Sequence, residues 1–195
     1  MKHEGWTLSS LPAEAQHRLE RYRDLLRDRA VPTGLIAAAD AGHLQDRHIL
    51  DSLRGVPLIP PSTRDVADLG SGAGLPGIPL AIALPHVWFT LVDSRRRRVA
   101  FLELVVDDLR LSNVAVVEGR VEELPSGFDV CVARGLAGAG ASWVAAERLL
   151  RPAGRLLYWA GATFEADAVP EGAQVLALGD PALESGGPIV IMARQ

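Results

Sequence analysis

The sequence predicts an α/β fold: a mostly parallel sheet with helices on both faces, preceded by a helical N-terminal extension. Three observations lead there. From Asp65 onward, apolar runs of strand length alternate with segments of helical spacing, as in consecutive crossover units. Residues 65–77 read D-V-A-D-L-G-S-G-A-G-L-P-G, a buried run meeting Gly70, Gly72 and Gly74, as a strand entering a tight loop and then a helix would. Residues 1–62 show helical spacing instead and end in the Pro-rich connector 57–62.

Taken in order, residues 12–30 read as a helix, with Leu19, Tyr22, Leu25 and Leu26 on one face and Pro32 and Gly34 ending it. Residues 35–39 are short and apolar, and Asp40 with Gly42 punctuates them. A second helix is expected over 43–53, with His48, Leu50 and Asp51 as candidates for facing the following domain. After the strand that leads into Gly70, strands are expected at 88–92, ended by Asp93, and at 114–117 and 128–132. Another follows at 155–159, after a turn at Pro152-Ala153-Gly154. Residues 174–178 and 189–193 can supply two more. Helices are expected at 97–109, with Val99, Leu102, Val105, Val106 and Leu109 inward, and at 139–150. Ligands on such sheets bind beyond the carboxyl ends of strands, where strand order reverses. Gly70, Asp93, Val121 and Arg134 all fall at or just past strand ends.

Composition narrows the class. With 195 residues, 48% of them hydrophobic, the chain can bury a full core. No apolar run reaches the length of a membrane span and no signal-peptide pattern opens the chain, so a cytoplasmic protein away from membranes is expected. Cys131, the only cysteine, lies in an apolar run and reads as a small buried hydrophobe. The histidines carry no metal-ligand spacing, so no metal is expected, and the chain is expected to be a monomer. A net charge of −4 argues against holding nucleic acid through overall charge and leaves only local patches. Arg95, Arg96, Arg97 and Arg98 form one. Arg18, Arg21, Arg23, Arg27 and Arg29 form a second, but they alternate with Glu20, Asp24 and Asp28 as on a solvated helix face.

Two ligands fit the glycine loop. Gly72, Gly74 and Gly77 match a dinucleotide fingerprint, with Asp93 at about the distance of a ribose contact. Gly70, Gly72 and Gly74 equally match the loop of S-adenosylmethionine-dependent methyltransferases, and Asp68, two residues before the first glycine, leans that way. In either case the loop is expected to offer free backbone N–H groups at a helix N-terminus.

Longer motifs go further. Arg47-His48-Ile49-Leu50-Asp51-Ser52-Leu53 is followed by Asp68-Leu69-Gly70-Ser71-Gly72-Ala73-Gly74-Leu75-Pro76-Gly77-Ile78-Pro79-Leu80 and by Phe89-Thr90-Leu91-Val92-Asp93-Ser94. Arg97-Arg98-Val99 with Phe101-Leu102, Gly119-Arg120-Val121-Glu122-Glu123 and Ala133-Arg134-Gly135-Leu136-Ala137 complete the set, in order over residues 44–160. In these the sequence resembles the glucose-inhibited division protein B family, the ribosomal RNA small-subunit methyltransferase G group. The resemblance implies a class I methyltransferase fold, with residues 1–62 as its helical extension and 63–195 as its Rossmann-like domain, in one compact unit. It implies S-adenosylmethionine as methyl donor and guanine N7 of small-subunit (16S) ribosomal RNA as acceptor. Cofactor contacts carried over by motif fall on Gly70, Leu75, Val121, Glu122 and Arg134, with Asp93 on the ribose.

Guanine N7 has a lone pair and no proton, so no catalytic base is assigned. The enzyme's task is to hold two reactants in line. Gly72 is read as a point of close cofactor approach, and Asp68 as a partner for the methionine ammonium or as a turn residue. Arg97 and then Arg98 are the first choices for RNA phosphates. The sequence departs from the family pattern at 27–35, near Tyr158-Trp159-Ala160-Gly161, and at Gly187-Pro188, and each departure removes polar or basic groups. A methyltransferase acting on another RNA or a small molecule, a nicotinamide-dependent dehydrogenase and a non-catalytic RNA-binding relative are the competing readings.

Overall fold

The computed structural model describes residues 8–161, 164, 174–176 and 187–194. Its frame is a seven-stranded sheet built from β1 (Asp65–Leu69), β2 (Trp88–Asp93), β3 (Val114–Glu118), β4 (Phe128–Arg134), β5 (Leu150–Trp159), β6 (Gln174–Leu176) and β7 (Ile189–Ala193). The spatial order is β3-β2-β1-β4-β5-β7-β6. The strands from β1 to β5 pair in parallel, while β7 runs antiparallel to both β5 and β6. The chain moves outward from β1 to β3 and then returns to lay β4 on the other side of β1. That reversal puts a crevice beyond the carboxyl ends of β1 and β4.

Helices α1 (Ala13–Leu25), α2 (Asp51–Leu53), α3 (Gly77–Ala83), α4 (Arg96–Asp108) and α5 (Ala139–Glu147) complete the described chain. The expected helix over 12–30 is α1 continued by a wider π-type turn at Leu26–Ala30. The one over 43–53 is a π-type turn at Leu44–Leu50 closing into α2.

The hydrophobic residues divide by strand parity. Val66, Val130, Val132 and Leu157 face one way, into a cluster with Leu19, Tyr22 and Ile49 of the N-terminal segment and with Ile78 and Leu102. Ala67, Leu69, Cys131, Ala133 and Leu156 face the other, toward Ala139 and Ala146 of α5. Strands buried on both faces account for the near-continuous apolar runs of the sequence. Arg21 adds a two-pronged ion pair to Asp108 (2.8 and 2.6 Å) that ties α1 to the end of α4.

One boundary differs from expectation. The segment Pro152-Ala153-Gly154 does not separate α5 from β5; β5 already begins at Leu150, and α5 stops at Glu147. Leu149 and Leu150 are buried, and the Leu149 carbonyl accepts the N–H groups of Gly127 and Phe128. Burial therefore fixes the strand's start, and the Pro-Ala-Gly bend is absorbed where the β4–β5 register shifts between Phe128 and Val130.

Candidate functional site

The glycine loop is held mostly by its own amides. Ser71 N–H donates to the Val92 carbonyl (3.0 Å), and Gly74 and Leu75 N–H both donate to the Ser71 carbonyl (2.7 and 3.2 Å). Gly72 N–H donates to Asp93 Oδ2 (3.0 Å), and Gly77 N–H to Asp68 Oδ2 (3.1 Å). These five groups are engaged inside the protein, which corrects the expectation of an open amide cradle. The N-terminus of α3 moreover sits on the Asp68 carboxyl, so a negative group there has little left to bind. The arrangement suits a ligand without a pyrophosphate.

Past the ends of β1, β2 and β3 lies a cleft of 530 Å³ on the α5 side of the sheet. Gly70, Asp93, Val121 and Glu122, four of the expected cofactor residues, line it. Asp93 is buried, with Arg95 N–H on Oδ1 (2.9 Å) and the Arg98 guanidinium on Oδ2 (3.1 Å). Gly70 takes φ +69°, and a Cβ there would come within 2.6 Å of the Leu136 Cδ1 atom, so Leu136 closes directly over it. The Val121 carbonyl accepts the Arg148 guanidinium at 2.6 Å, which pins the turn after β3 to the end of α5.

Asp68, Leu75 and Arg134 lie outside that lining. Asp68 follows Val66, and Arg134 follows Val130 and Val132, so both side chains leave the sheet toward the N-terminal segment. Arg134 donates to His48 Nδ1 (2.7 Å), Asp51 Oδ2 (3.3 Å) and the Arg47 carbonyl (3.4 Å). Asp68 is fully buried, and burial pushes its carboxyl up to about 7, with the Gly77 hydrogen bond, the nearby Ser71 hydroxyl (which donates to the Asp68 carbonyl at 2.9 Å) and Arg134 pulling the other way. Its Oδ1 has no partner among the described residues. Leu75 is buried in the same cluster. Gly72 joins the two compartments, since its amide reaches from the loop to Asp93.

Sequence reasoning placed Tyr22 in the core and missed its hydroxyl, which donates to the Ala73 carbonyl of the glycine loop at 2.7 Å. The available signal was general: a tyrosine on a buried face needs an acceptor for its O–H. Arg148 carried no signal, because its role depends on the end of α5 meeting the cleft, and Leu136 stood in the 133–137 motif without being singled out. His48 and Asp51 do face the domain, as the expected helix over 43–53 required.

The arginine run divides. Arg97 donates to the Thr33 carbonyl, tying α4 to the turn after α1, and Arg98 is engaged with Asp93. Arg95 and Arg96 are exposed and have no side-chain partner among the described residues. Among those residues no group of three or more His, Cys, Asp or Glu is gathered as a metal site, and no helix is long and apolar enough to cross a membrane.

Comparison with known proteins now adds to this geometry. Residues 15–180 match the family described as GidB, rRNA small subunit methyltransferase G. The ribosomal RNA small subunit methyltransferase G of Mycobacterium leprae is 43% identical over 143 residues, covering 71% of this chain and 58% of that protein. The chain thus matches little more than half the length of that relative. The protein of the same name from Acidiphilium cryptum is 38% identical over 180 residues, covering 89% and 82%. Among solved structures, an S-adenosylmethionine-dependent methyltransferase from Aquifex aeolicus superposes with a TM-score of 0.56 at 16% identity, covering 84% of this chain and 97% of that one. A precorrin-6y C5,15-methyltransferase from Geobacter metallireducens gives 0.53 at 17%, covering 75% and 87%. At such identities the structural likeness speaks for the fold, a class I Rossmann-like arrangement.

Proposed function

The chain belongs to the GidB family of small-subunit ribosomal RNA methyltransferases, and from that premise we propose that it methylates guanine N7 in small-subunit (16S) ribosomal RNA, using S-adenosylmethionine. The observation that carries the cofactor half is the pairing of the Gly72 amide with Asp93 at the rim of the 530 Å³ cleft. It presents a glycine loop and a buried carboxylate side by side, as an amino-acid nucleoside requires. The α3 N-terminus on Asp68 supports the same choice over a dinucleotide, because a pyrophosphate would meet a carboxyl there rather than free amides. The residues present fit the cofactor in this sense.

In this reading Asp93 accepts the ribose hydroxyls, the open space at Gly72 lets the methionine part approach the backbone, Gly70 lines the cleft beneath Leu136, and Val121 and Glu122 flank the base. Arg148 positions Val121 through its carbonyl. Leu136 stands over Gly70 in the cleft lining. When bound, S-adenosylmethionine supplies a methyl group on a sulfonium, ready for in-line displacement. N7 carries no proton, so the chain need provide no base. Alignment of reactants is the main contribution, worth about 7–11 kcal/mol where geometry is good.

Small subunits lacking the modification, incubated with the protein and labelled S-adenosylmethionine, test this. The expected outcome is label recovered as 7-methylguanosine after digestion of the RNA. Label in another nucleoside would overturn the acceptor, and its absence from RNA while calorimetry shows cofactor binding would overturn the substrate.

A further inference from the structure

Asp93 already has three donors. Arg95 N–H occupies Oδ1, while Gly72 N–H and the Arg98 guanidinium share Oδ2. A carboxylate offers about four acceptor positions, and a ribose diol brings two O–H donors. One of the three present donors must therefore leave when a nucleoside binds. Two are backbone amides, one fixed by the glycine loop and the other by the turn that opens α4. The third is a side chain on a long rotatable stem, 33% accessible, paired with a carboxylate only 3% accessible, so it leaves only as the ribose hydroxyls take its place. Arg98 is the group free to move.

Where it would go is set by the cleft. Arg95, the residue just before α4, lines the same cleft as Arg98. Arg95 is exposed and without a side-chain partner among the described residues. We propose that the nucleoside part of the cofactor displaces Arg98 from Asp93, and that the freed guanidinium joins Arg95 in holding an RNA phosphate at the cleft mouth. Cofactor and RNA then bind with positive coupling, and each raises the other's affinity by the same factor. This rests on the cofactor and substrate proposed above. It makes Arg98 a residue of both sites, in alternation.

The test measures binding of a short fluorescein-labelled single-stranded RNA across a range of salt, with and without S-adenosylhomocysteine, for the wild type, Arg98→Gln and Arg95→Gln. Calorimetry with S-adenosylhomocysteine runs alongside, and melting curves show that each variant is folded. In the wild type the nucleoside should steepen the salt slope by about 0.7 and tighten RNA binding about fivefold near 0.1 M salt, the effect of one added phosphate contact. From its own starting slope, Arg98→Gln should show no increment when the nucleoside is added. Arg95→Gln should start from a shallower slope and still steepen. An unchanged wild-type slope while calorimetry shows S-adenosylhomocysteine bound overturns the coupling and leaves the cofactor reading standing, as does an increment kept by Arg98→Gln. No calorimetric binding by the wild type overturns the cofactor reading, and this proposal with it.

Discussion

Arg134 Nη2 stands 2.7 Å from His48 Nδ1, and that single contact fixes the state of both residues. A guanidinium can only donate, so His48 must accept at Nδ1, be neutral, and carry its proton on Nε2. Burial and then the Arg134 charge hold the imidazole down to about 4, against the opposing pull of Asp40 and Asp51. The same guanidinium reaches Asp51, whose other oxygen takes Arg54 at 2.6 Å and whose carbonyl accepts Trp159 Nε1 at 2.9 Å. The carboxyl ends of β4 and β5 are thereby lashed to the segment that carries the R-H-I-L-D-S-L motif.

Replacing Arg134 by Ala should therefore act first on stability. It leaves buried Asp51 with one charged partner instead of two and His48 with an unfilled acceptor, at a cost of about 1–3 kcal/mol. The His48 titration should move up from about 4, because one of the two largest depressing causes is gone while burial remains. Denaturant unfolding and an NMR titration of the imidazole check both. A His48 midpoint that stays at about 4 in the variant would mean that burial alone sets it.

Stability against pH should carry two opposed contributions. His48 is depressed from 6.5 to about 4, so the unfolded chain binds the extra proton between those values, and stability from His48 rises with pH across that window. Asp68 is raised from 3.8 to about 7, so the folded chain binds the extra proton, and its contribution falls as pH rises through about 7. Each pH unit of displacement is worth about 1.4 kcal/mol, and the two act in opposite directions between 4 and 6.5. Asp68→Asn removes the falling part. Its stability should climb more steeply from pH 4 to 6.5 than that of the wild type, as read by chemical denaturation at several pH values. Parallel profiles would show that Asp68 does not titrate in this range.

What could be read in the sequence was whatever is written locally. The strand-loop-helix at Asp65 to Gly77 and the acid closing β2 are consecutive in the chain, so glycine spacing and apolar runs report them directly. Of the strand-end residues Gly70, Asp93, Val121 and Arg134, the first three line the cleft, and Glu122 came from the family resemblance. The ties to the N-terminal segment could not be read, because Tyr22 to Ala73 and His48 to Arg134 span 51 and 86 positions and leave no periodic trace. The division of Asp68 and Arg134 from the cleft needed the assembled sheet, since Asp93 has the same strand parity as Asp68 and still lines the cleft. The arginine run shows the same limit: charge located it, but only packing against Thr33 and Asp93 shows which members are already engaged. At Leu150, the Pro-Ala-Gly signal suggested a turn, and burial of two leucines prevailed.

Tyr22→Phe should separate the hydroxyl from the ring. The ring stays fully buried, so the loss is the hydrogen bond to the Ala73 carbonyl, about 1 kcal/mol, whereas Tyr22→Ala would also open a core cavity and cost about 3–5 kcal/mol. Because Ala73 lies within the glycine loop, Tyr22→Phe should also weaken S-adenosylhomocysteine binding severalfold in calorimetry. Unchanged affinity with the expected loss of stability would confine Tyr22 to the core and leave the loop independent of α1.

Gly72→Ala and Gly77→Ala should fail for different reasons, and comparing them tests the local geometry on both sides of the loop. At Gly72 the space is open, with only the Gly70 carbonyl oxygen 3.8 Å from a built Cβ, but φ is +60°. The cost there is conformational, roughly 1–2 kcal/mol, and the amide can still reach Asp93. At Gly77 the conformation suits any residue and an alanine would gain about 1 kcal/mol of helix propensity. The added methyl, however, would fall against the Asp68 carboxyl and within 2.8 Å of Leu91 Cδ2, both buried. Overpacking of about 1–3 kcal/mol then outweighs the gain, and the clash pushes Asp68 off the Gly77 amide. The Asp68 carboxyl should consequently titrate higher in Gly77→Ala and remain near 7 in Gly72→Ala, as followed by carboxyl-carbon NMR. Equal titrations in the two variants would show that the Gly77 amide does not hold that carboxyl.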